Sequence, residues 1–375
     1  MFTNKKIMML CTTDNMIWQF LLPHIKFLQE QGNTVECVCA RTGFWFNELK
    51  DKFGLKMHEI AFKRKPINLA NFKAYRKLVK LQKQEKFDLV YCQQPVGGLM
   101  GRLISKKFKI PCIYTAHGFF FFKGNSKIKN FIYRTVEKFL ARYTDILITI
   151  NQEDYEAAKN WKAKHIYKIN GIGMYDTKYE TSTFNKTEFK ESLGIQQNDR
   201  VIITVSEFIK RKNYKTMLKS IAELKKVEPN IKFLACGTGV QLEEMKQFAK
   251  DLGIVNEVQF MGYRKDINKI LQISNVFYHQ SYHEGLTMSI MEAMYYGLPA
   301  VVSNVRGNQD LIDNNKGGIL TSCEDVTAQV DALRKLLNNP ELCKQMGEYN
   351  KEKVKEFYLE NVLKQLENIY NDLRI

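Results

Sequence analysis

The sequence SNVFYHQSYHEGLTMSIMEAMYYGLPAVVSN, residues Ser274–Asn304, holds a complete crossover unit of a parallel sheet. Its hydrophobic pattern predicts a strand, a helix and a second strand over Asn275–Gln280, Leu286–Tyr296 and Ala300–Val302. Gly297 is expected to end the helix in the left-handed conformation, with Pro299 shortly after it. Because parallel strands need such a helical connection, this stretch favours an α/β fold.

Two carboxylates stand inside this otherwise apolar stretch. Glu284 precedes the predicted helix, and Glu292 lies within it between apolar neighbours. A carboxylate in a helix that is covered on most sides needs a polar partner, since burying an unpaired charge is costly. We therefore expect this crossover to form part of a binding site.

The rest of the chain repeats the same alternation in two halves. Its 375 residues exceed the usual size of one core, so two domains are expected. In the first half, strands are predicted over Ile7–Cys11, Thr34–Cys39, Met57–Ile60, Asp88–Cys92, Ile110–Tyr114 and Ile146–Ile150. Helices are predicted between them over Trp18–Gln31, Leu69–Lys83, Gly98–Phe108 and Lys127–Ala141.

The second half has the same order of elements. Strands are predicted over Val201–Val205, Ile231–Cys236 and Val258–Met261, and helices over Tyr214–Val227, Gln241–Leu252 and Asp266–Ile273. The tail Ala328–Leu373 is predicted to be helical, with two breaks. This order predicts two open, doubly wound sheets with C-terminal helices, and ligands at the carboxyl ends of the strands.

Excess positive charge is confined to the first half. Residues 1–186 hold 32 Lys and Arg against 15 Asp and Glu, whereas residues 187–375 hold 25 of each. The whole net charge of +17 therefore belongs to the first half. A lysine-rich solvated surface explains any single cluster, but a bias confined to one domain favours an anionic partner. A membrane surface, a phosphorylated substrate and nucleic acid are the candidates.

The cysteine pattern and the hydropathy limit the classes of protein to which this chain can belong. The eight cysteines lie mostly in apolar strand-like runs without a CxxC pair. This pattern predicts reduced core residues of a cytoplasmic protein, and neither disulfides nor a zinc site. No apolar run reaches transmembrane length, and the start MFTNKKIMMLCTT lacks the features of a signal peptide.

The fifth predicted strand runs into Thr115–Gly124, TAHGFFFFKG. His117, at a strand's carboxyl end, is placed for proton transfer or for a hydrogen bond to a substrate hydroxyl, and a structural role is the alternative. Phe119 and Phe120 open a run of four phenylalanines that ends at Lys123. Core packing and an interfacial membrane contact are both open for this run.

A basic segment, Ser206–Asn213 (SEFIKRKN), follows the first strand of the second half. Arg211 and Lys212 stand just before a predicted helix, where they either bind a diphosphate with help from the helix N-terminus or form an exposed turn. After the first strand of the chain, by contrast, Thr12–Asp14 stands where a dinucleotide site would have GxGxxG. An NAD-dependent dehydrogenase is therefore disfavoured.

Together these segments resemble glycosyltransferase family 4, whose retaining enzymes have the GT-B fold of two Rossmann-like domains facing across a cleft. Glu284 and Glu292, with seven residues between them, resemble the family signature. The resemblance extends over nearly the whole chain, through Ile113–Gly118, Lys212, Gly237–Gly239, Phe260–Asp266 and Arg306–Ile312. The segments TAHGFFFFKG and VRGNQDLI are similar to enzymes of bacterial capsular and exopolysaccharide synthesis.

The resemblance implies a role for each matching residue. Glu284 would contact the transferred sugar, and Lys212 would neutralise the leaving diphosphate without a metal. His117 would contact the donor sugar or orient the acceptor. Glu292 would hold the ribose hydroxyls. The implied nucleotide-sugar site also includes Gly285, Leu286, Thr287, Arg211, Arg264 and Gly237, and the implied acceptor or membrane side consists of Phe119, Phe120 and Lys123.

Two positions depart from the family pattern. The family usually has an arginine five residues before the lysine, where this chain has Glu207, and Arg211 is the candidate replacement. The glycine-rich loop after the first strand is replaced by Thr12–Asp14. The resemblance therefore implies that contacts to the donor diphosphate differ here.

The resemblance thus implies a retaining, metal-independent glycosyltransferase without a cofactor. Residues 1–175 form the acceptor-facing and membrane-facing domain, residues 188–355 the nucleotide-sugar domain, and residues 356–375 a helix packing back on the first domain. Its partners are expected to be a UDP-sugar, a polyprenyl-diphosphate-linked glycan and the inner membrane surface, with peripheral attachment and no nucleic acid. The oligomeric state is left open.

Three alternatives remain. A GT-B-fold epimerase would act on a UDP-sugar without an acceptor. A nucleic-acid-binding protein would use the basic half and leave both carboxylates without a role. A catalytically inactive membrane scaffold is the third, and a stability shift on UDP binding would distinguish it from the enzymes.

Overall fold

The computed structural model describes residues 2–43, 45–63, 68–175 and 183–373. The chain divides into two compact units. Unit 1 combines Met1–Gly173 with Leu359–Ile375, and unit 2 is the continuous segment Met174–Tyr358. Of residues 176–187, which separate the two domains predicted from the sequence, residues 176–182 lie outside the described part.

Unit 1 contains a parallel sheet of seven strands in the order β3-β2-β1-β4-β5-β6-β7. Its strands are β1 Lys6–Thr13, β2 Thr34–Ala40, β3 Lys56–Glu59, β4 Leu89–Gln93, β5 Cys112–Ala116, β6 Ile146–Thr149 and β7 His165–Lys168. The strand order reverses between β1 and β4. Ligands of doubly wound sheets bind at such a switch point.

Helices connect these strands. They are α1 Asp14–Met16, α2 Leu22–Glu30, α3 Trp45–Asp51, α4 Leu69–Glu85, α5 Pro95–Phe108, α6 Lys127–Ala141 and α7 Gln152–Ala158, with a π-helical turn at Ile17–Leu21 between the first two. The last helix of the chain, α16 Leu359–Tyr370, also belongs to this unit. Tyr370 is buried there, and its hydroxyl lies 3.1 Å from the hydroxyl of Tyr91 on β4.

Unit 2 contains six parallel strands in the order β10-β9-β8-β11-β12-β13. Its strands are β8 Arg200–Val205, β9 Ile231–Cys236, β10 Val258–Gly262, β11 Val276–His279, β12 Ala300–Ser303 and β13 Gly318–Thr321. Its helices are α8 Lys186–Ser192, α9 Tyr214–Lys225, α10 Leu242–Asp251, α11 Ile267–Ile273, α12 Met288–Tyr295, α13 Asn308–Leu311, α14 Val326–Leu337 and α15 Pro340–Val354. Here the order reverses between β8 and β11.

The fold class is the predicted one, two doubly wound parallel sheets with a helical C-terminus, and most elements agree within a few residues. Six elements were not predicted, namely α3, α7, α8, α13, β7 and β13, and α1 lies ahead of the helix predicted to begin at Trp18. Two of these, β7 and β13, are outermost strands of four residues each. An edge strand is paired on one side only, so its sequence need not be continuously apolar.

All eight cysteines are free thiols, and six of them are buried. This agrees with the prediction of reduced core residues. None of the helices in the described ranges combines the length and the apolar composition that crossing a bilayer requires.

Candidate functional site

A buried ion pair lies at the switch point of the unit 2 sheet. Glu284 follows β11 and is 5% exposed. Its Oε1 accepts a hydrogen bond from Lys212 Nζ at 2.7 Å, and its Oε2 accepts one from Arg211 Nη1. Both cations belong to the 3-10 turn Lys210–Lys212 that follows β8. The loop after β8 and the loop after β11 therefore meet through charged side chains, at the point where the strand order reverses.

Burial and neighbouring charges shift the pKa of Glu284 in opposite directions. Burial would raise the pKa of Glu284, but Lys212, His279 and Arg211 outweigh it and hold that pKa well below its usual range. Burial lowers the pKa of Lys212, and Glu284 opposes this change. Glu284 is therefore ionised at neutral pH and is not a proton donor.

Backbone contacts hold the two connections together. The carbonyl of Arg211 accepts a hydrogen bond from Tyr282 N at 3.0 Å, and Arg211 Nη1 donates to His283 O at 3.1 Å. Asn213, which ends the turn, has φ 47° in the left-handed region, where asparagine is tolerated better than most residues. Arg211 thus links the loop after β8 to the loop that carries Glu284.

Two residues of the site were not predicted individually. Arg306 is buried, and its Nε donates a hydrogen bond to Glu284 O at 2.9 Å. Gly307 has φ 80°, and a Cβ there would lie 2.3 Å from Gly285 O, so only glycine fits. Both belong to the segment Arg306–Ile312, which the family resemblance includes. They hold the Glu284–Gly285 backbone in place.

His279 is a third residue that sequence reasoning missed. It is fully buried at the end of β11, and its Nε2 lies 3.3 Å from Glu284 Oε1. Burial and Lys212 lower the pKa of His279. A neutral imidazole that donates from Nε2 stabilises the carboxylate without adding charge. Its signal in the sequence is a polar residue at the carboxyl end of a central strand.

A pocket of about 470 Å³ lies in unit 2 at the carboxyl ends of β8, β9 and β10. Glu292, Gly237 and Arg264, three of the predicted site residues, line it. The remaining walls are Val205, Cys236, Tyr263, Lys265, Ile267, Asn268, Leu271 and Tyr296. Glu292 is partly buried on α12 and lines this pocket, and no residue of α12 is exposed, which agrees with the expectation of a helix covered on most sides.

Glycines shape the pocket wall. Gly237 and Gly239 have φ of 141° and 155°, a backbone region that side chains rarely adopt. A Cβ on Gly237 would lie 2.0 Å from Ser206 O, and one on Gly239 would lie 2.5 Å from Phe208 O. The loops after β8 and β9 therefore pack backbone against backbone. This close packing explains the glycines of the Gly237–Gly239 turn.

Arg264 is engaged by a neighbour. Its Nε and Nη2 donate to the two carboxylate oxygens of Asp266 at 2.8 and 2.6 Å. This bidentate pair fixes the guanidinium at the pocket wall.

The segment Gly285–Thr287 precedes helix α12, which begins at Met288 and not at Leu286 as predicted. Thr287 Oγ1 donates to Asn308 Oδ1 at 3.1 Å, so its side chain does not cap the helix. Within the described part of the chain, no backbone carbonyl accepts from the N–H groups of Gly285 and Leu286. These groups, at the positive end of a helix, form an anion-binding geometry.

His117 belongs to unit 1, where it follows β5. Its Nε2 lies 2.6 Å from Gln93 Oε1 on β4, and its buried Nδ1 has no hydrogen-bond partner in the described residues. Burial, with a smaller contribution from His24, lowers the pKa of His117 to about 3. With Gln93 accepting from Nε2, the neutral ring presents Nδ1 as an acceptor.

The structure shows the contacts made at the two positions that depart from the family pattern. Glu207 is exposed, and Arg211 makes the cationic contact to Glu284. Asp14 is buried and accepts hydrogen bonds from the backbone N–H and the hydroxyl of Thr42, so it joins the loops after β1 and β2.

The predicted membrane contact of the phenylalanine run is wrong for Phe119. Phe119 is 1% exposed and stacks on Phe121 at 4.9 Å, with Trp161 at 5.3 Å. Phe120 is 39% exposed, and Lys123 is exposed. Successive side chains in this run point to opposite sides of the chain, so Phe119 and Phe121 are buried in the core whereas Phe120 is exposed.

One group in the described ranges has the spacing of metal ligands: Glu36, His58 and Glu85. Lys6 and Lys56 form ion pairs with both of its carboxylates. Ammonium groups therefore supply the positive charge that a cation would bring.

Comparison with known proteins identifies the chain. Residues 185–353 match the family model of glycosyl transferases group 1, and residues 6–151 match glycosyl transferase 4-like. The chain is 31% identical over 374 residues to the putative glycosyltransferase EpsD of Bacillus subtilis, covering 98% of this chain and 96% of EpsD. The protein is a family 4 glycosyltransferase. The expectation drawn from the sequence is thereby confirmed.

Two further relatives place this glycosyltransferase among known enzymes and structures. It is 31% identical over 276 residues to the UDP-Gal:alpha-D-GlcNAc-diphosphoundecaprenol alpha-1,3-galactosyltransferase of Escherichia coli, covering 71% of this chain and 70% of the relative. The structure of Anabaena HepE in complex with UDP matches with a TM-score of 0.81 at 18% identity, covering 98% and 100% of the two chains. The glycosyltransferase therefore has the GT-B fold.

Proposed function

We propose that the enzyme transfers a sugar from a UDP-sugar to a polyprenyl-diphosphate-linked glycan, with retention of anomeric configuration, in capsule or exopolysaccharide synthesis. The observation that carries the proposal is in unit 2. Lys212, Arg211 and Glu284 meet where the loops after β8 and β11 come together, and the pocket lined by Gly237 and Glu292 lies at the carboxyl ends of β8, β9 and β10 in the same unit. In a nucleoside diphosphate, the phosphates bind to cations and to N–H groups at a helix start, and the ribose hydroxyls bind to a carboxylate.

Relatives support both substrates. HepE binds UDP, and a second HepE structure contains UDP-glucose. The name of the E. coli relative gives UDP-Gal as donor and a diphosphoundecaprenol-linked sugar as acceptor. By analogy we assign a UDP donor and a lipid-linked acceptor to this chain, with peripheral attachment at the inner face of the cell membrane. For the transferred sugar we propose an N-acetylated hexosamine or a deoxyhexosamine.

The residues of unit 2 bind the donor and stabilise the leaving group. Glu292 accepts hydrogen bonds from the ribose hydroxyls, and the N–H groups of Gly285 and Leu286 bind the diphosphate. Lys212 and Arg211 neutralise the charge that develops as the bond between the sugar and the diphosphate breaks, so neither metal nor cofactor takes part. Glu284 stays ionised beside the sugar and stabilises its positive charge.

The acceptor attacks from the side of the leaving group. Its hydroxyl forms the new bond at the anomeric carbon, while its proton passes to the departing diphosphate oxygen. The neutral His117 accepts a hydrogen bond from a sugar hydroxyl at Nδ1 and orients it. This scheme needs no carboxylate nucleophile, which would otherwise leave a covalent intermediate.

A panel of UDP-sugars tests the proposal. The donor is identified by the thermal shift that it produces, and the product with lipid extract is then detected by mass spectrometry. The anomeric configuration of the purified product is assigned by NMR: an α-linked product from an α-linked donor supports retention, and an inverted product contradicts it. Rapid epimerisation of a UDP-sugar without acceptor would instead establish the epimerase alternative.

A further inference from the structure

Helix α6, Lys127–Ala141, presents two opposite faces. Toward the core of unit 1 it buries Glu137, Leu140 and Ala141, with Tyr133 partly buried beside them. The buried Glu137 forms an ion pair with Arg102 on α5 at 2.8 Å. One face of the helix therefore packs on the core and pairs the only carboxylate of the helix with a cation.

The opposite face is apolar and exposed. Its side chains are spaced three or four residues apart and form one stripe along the helix. They are Ile128, Phe131, Ile132, Val136 and Phe139, with exposed fractions of 73%, 73%, 45%, 44% and 46%. Five large apolar side chains on one exposed stripe mark an interaction site, whereas scattered single ones do not.

Cations border this stripe. Lys127, Lys129, Arg134, Lys138 and Arg142 are all exposed. In the described ranges none of them forms an ion pair with a carboxylate. Helical spacing puts Lys127, Arg134 and Lys138 along one edge of the stripe and Lys129 along the other. An apolar stripe between rows of unpaired cations is the pattern of a helix that lies in a bilayer interface.

We propose that this face of α6, with its bordering cations, docks unit 1 on an anionic lipid bilayer. The positive charge along the stripe favours a lipid bilayer over a second copy of the chain as the partner of this face. A second copy would bring like-charged borders together, because the exposed surface of α6 has no acidic residue to pair with them. Anionic headgroups instead meet every cation while the apolar side chains enter the acyl boundary.

This inference deepens the proposed function, on which it rests for the identity of the acceptor, by naming the surface that meets the lipid. Helix α6 begins ten residues after His117, at the same edge of the sheet where β5 ends. A docked α6 therefore holds the acceptor domain at the membrane where a lipid-linked sugar resides. The contact comes from α6 and not from Phe119.

Flotation with vesicles tests the surface. Wild-type protein should bind vesicles of phosphatidylglycerol and phosphatidylethanolamine, but not phosphatidylcholine alone. The double substitution Ile128→Ser and Phe131→Ser should lower binding by more than about tenfold, since two large apolar contacts are lost. The matched control substitutes Leu69 and Phe72 by serine, because both are equally exposed on α4 of the same unit, at 92% and 63%. This control should bind as wild type.

Charge reversal tests the border separately. Lys127→Glu together with Lys138→Glu should lower binding to anionic vesicles by at least about tenfold, since each cation near the surface contributes roughly fivefold. The same change at Lys335 and Lys344, which are exposed in unit 2, should leave binding unchanged. Equal losses in both charge variants would show nonspecific attraction and overturn the assignment to α6.

Two other outcomes would also contradict the inference. If wild-type protein does not float with anionic vesicles, the membrane is excluded as the partner of this face. A wild-type dimer that becomes monomeric on Ile128→Ser and Phe131→Ser assigns the face to a second copy. UDP binding by these variants, measured by thermal shift, reports on unit 2 alone, so a failure of the docking surface is distinguishable from a failure of the proposed function.

Discussion

Lys212 Nζ lies 2.7 Å from Glu284 Oε1, which joins the connection after β8 to the connection after β11. The two side chains neutralise each other at the switch point of the unit 2 sheet. A donor diphosphate would compete with Glu284 for the same ammonium group. The ion pair therefore orders the two loops without a donor, and in the proposed mechanism Lys212 is the cation that neutralises the leaving group.

Lys212→Met should lower turnover by about a hundredfold or more, the usual cost of losing a charge-stabilising donor. It should also lower the melting temperature, because Glu284 would keep a buried charge with one cationic partner fewer. Steady-state kinetics and thermal unfolding measure the two effects. Lys210→Met is the matched control, since Lys210 is exposed in the same turn. Equal turnover in both variants would contradict the role of Lys212.

Glu292→Gln should weaken UDP binding by about tenfold or more, because the amide replaces a charged acceptor for the ribose hydroxyls. Calorimetric titration with UDP measures it. Glu243→Gln on α10, whose side chain is 80% exposed, should bind UDP as wild type. A Glu292 variant with unchanged UDP affinity but slower turnover would move this residue from the nucleotide to the reacting sugar.

His117→Ala should lower turnover at saturating donor by about tenfold or more and leave UDP affinity unchanged, because in the proposed mechanism the ring contacts a sugar hydroxyl and not the nucleotide. Because burial lowers the pKa of His117 to about 3, its protonation should not appear in the rate profile near neutral pH. His165→Ala on β7 is the control. Near-wild-type turnover in both His117→Ala and Glu284→Gln would overturn the assignment of the reaction centre.

Acid should destabilise unit 1 through His24. Burial lowers the pKa of His24 to about 4, while its Nε2 contacts Ile172 O at 2.6 Å. The unfolded chain takes up this proton below pH about 6.5 and the folded chain only near pH 4, so stability falls as pH falls through that window. The slope for one such group is about 1.4 kcal/mol per pH unit.

Tryptophan fluorescence during urea unfolding measures this loss in unit 1 alone. The three tryptophans of the chain, Trp18, Trp45 and Trp161, all belong to that unit. His24→Gln keeps an N–H for the Ile172 carbonyl and removes the titrating group, so its stability should depend less on pH. An equally steep loss in this variant would assign the acid sensitivity to other groups.

Chelation should not affect turnover. Treatment with EDTA followed by kinetics in metal-free buffer should give the untreated rate, because in the proposed mechanism Lys212 and Arg211 supply the charge that a divalent cation would otherwise provide. Loss of activity that Mg²⁺ or Mn²⁺ restores would refute the metal-independent scheme.

The fold was largely predictable because hydrophobic runs mark the strands of a parallel sheet. The strand Ile231–Cys236 and the helix Lys127–Ala141 have the predicted bounds. Helix α6 also shows the limit of such predictions. Apolar residues occur on both of its faces, and the pattern alone does not say which one meets the core.

The sequence indicated which residues form the candidate site, but not which of their side chains contact each other. Glu284 and Lys212 were expected to act on different parts of the donor, whereas their side chains bind each other across 72 residues of sequence. Such a pairing depends on strand order, which periodicity does not give. His279 was missed for the same reason, since only the position of the Glu284 loop above β11 gives the imidazole its partner.

The path of the chain has a consequence for synthesis. Unit 2 is one uninterrupted segment, but unit 1 is completed only by α16. Tyr370 meets Tyr91, and Gln365 Oε1 accepts from Asn170 N at 3.0 Å, so the final residues close the core of the part made first. On the ribosome, the segment translated second can finish folding while the segment translated first still waits for its last helix. A chain truncated after Tyr358 and released should therefore contain a protease-resistant unit 2 beside a protease-sensitive unit 1.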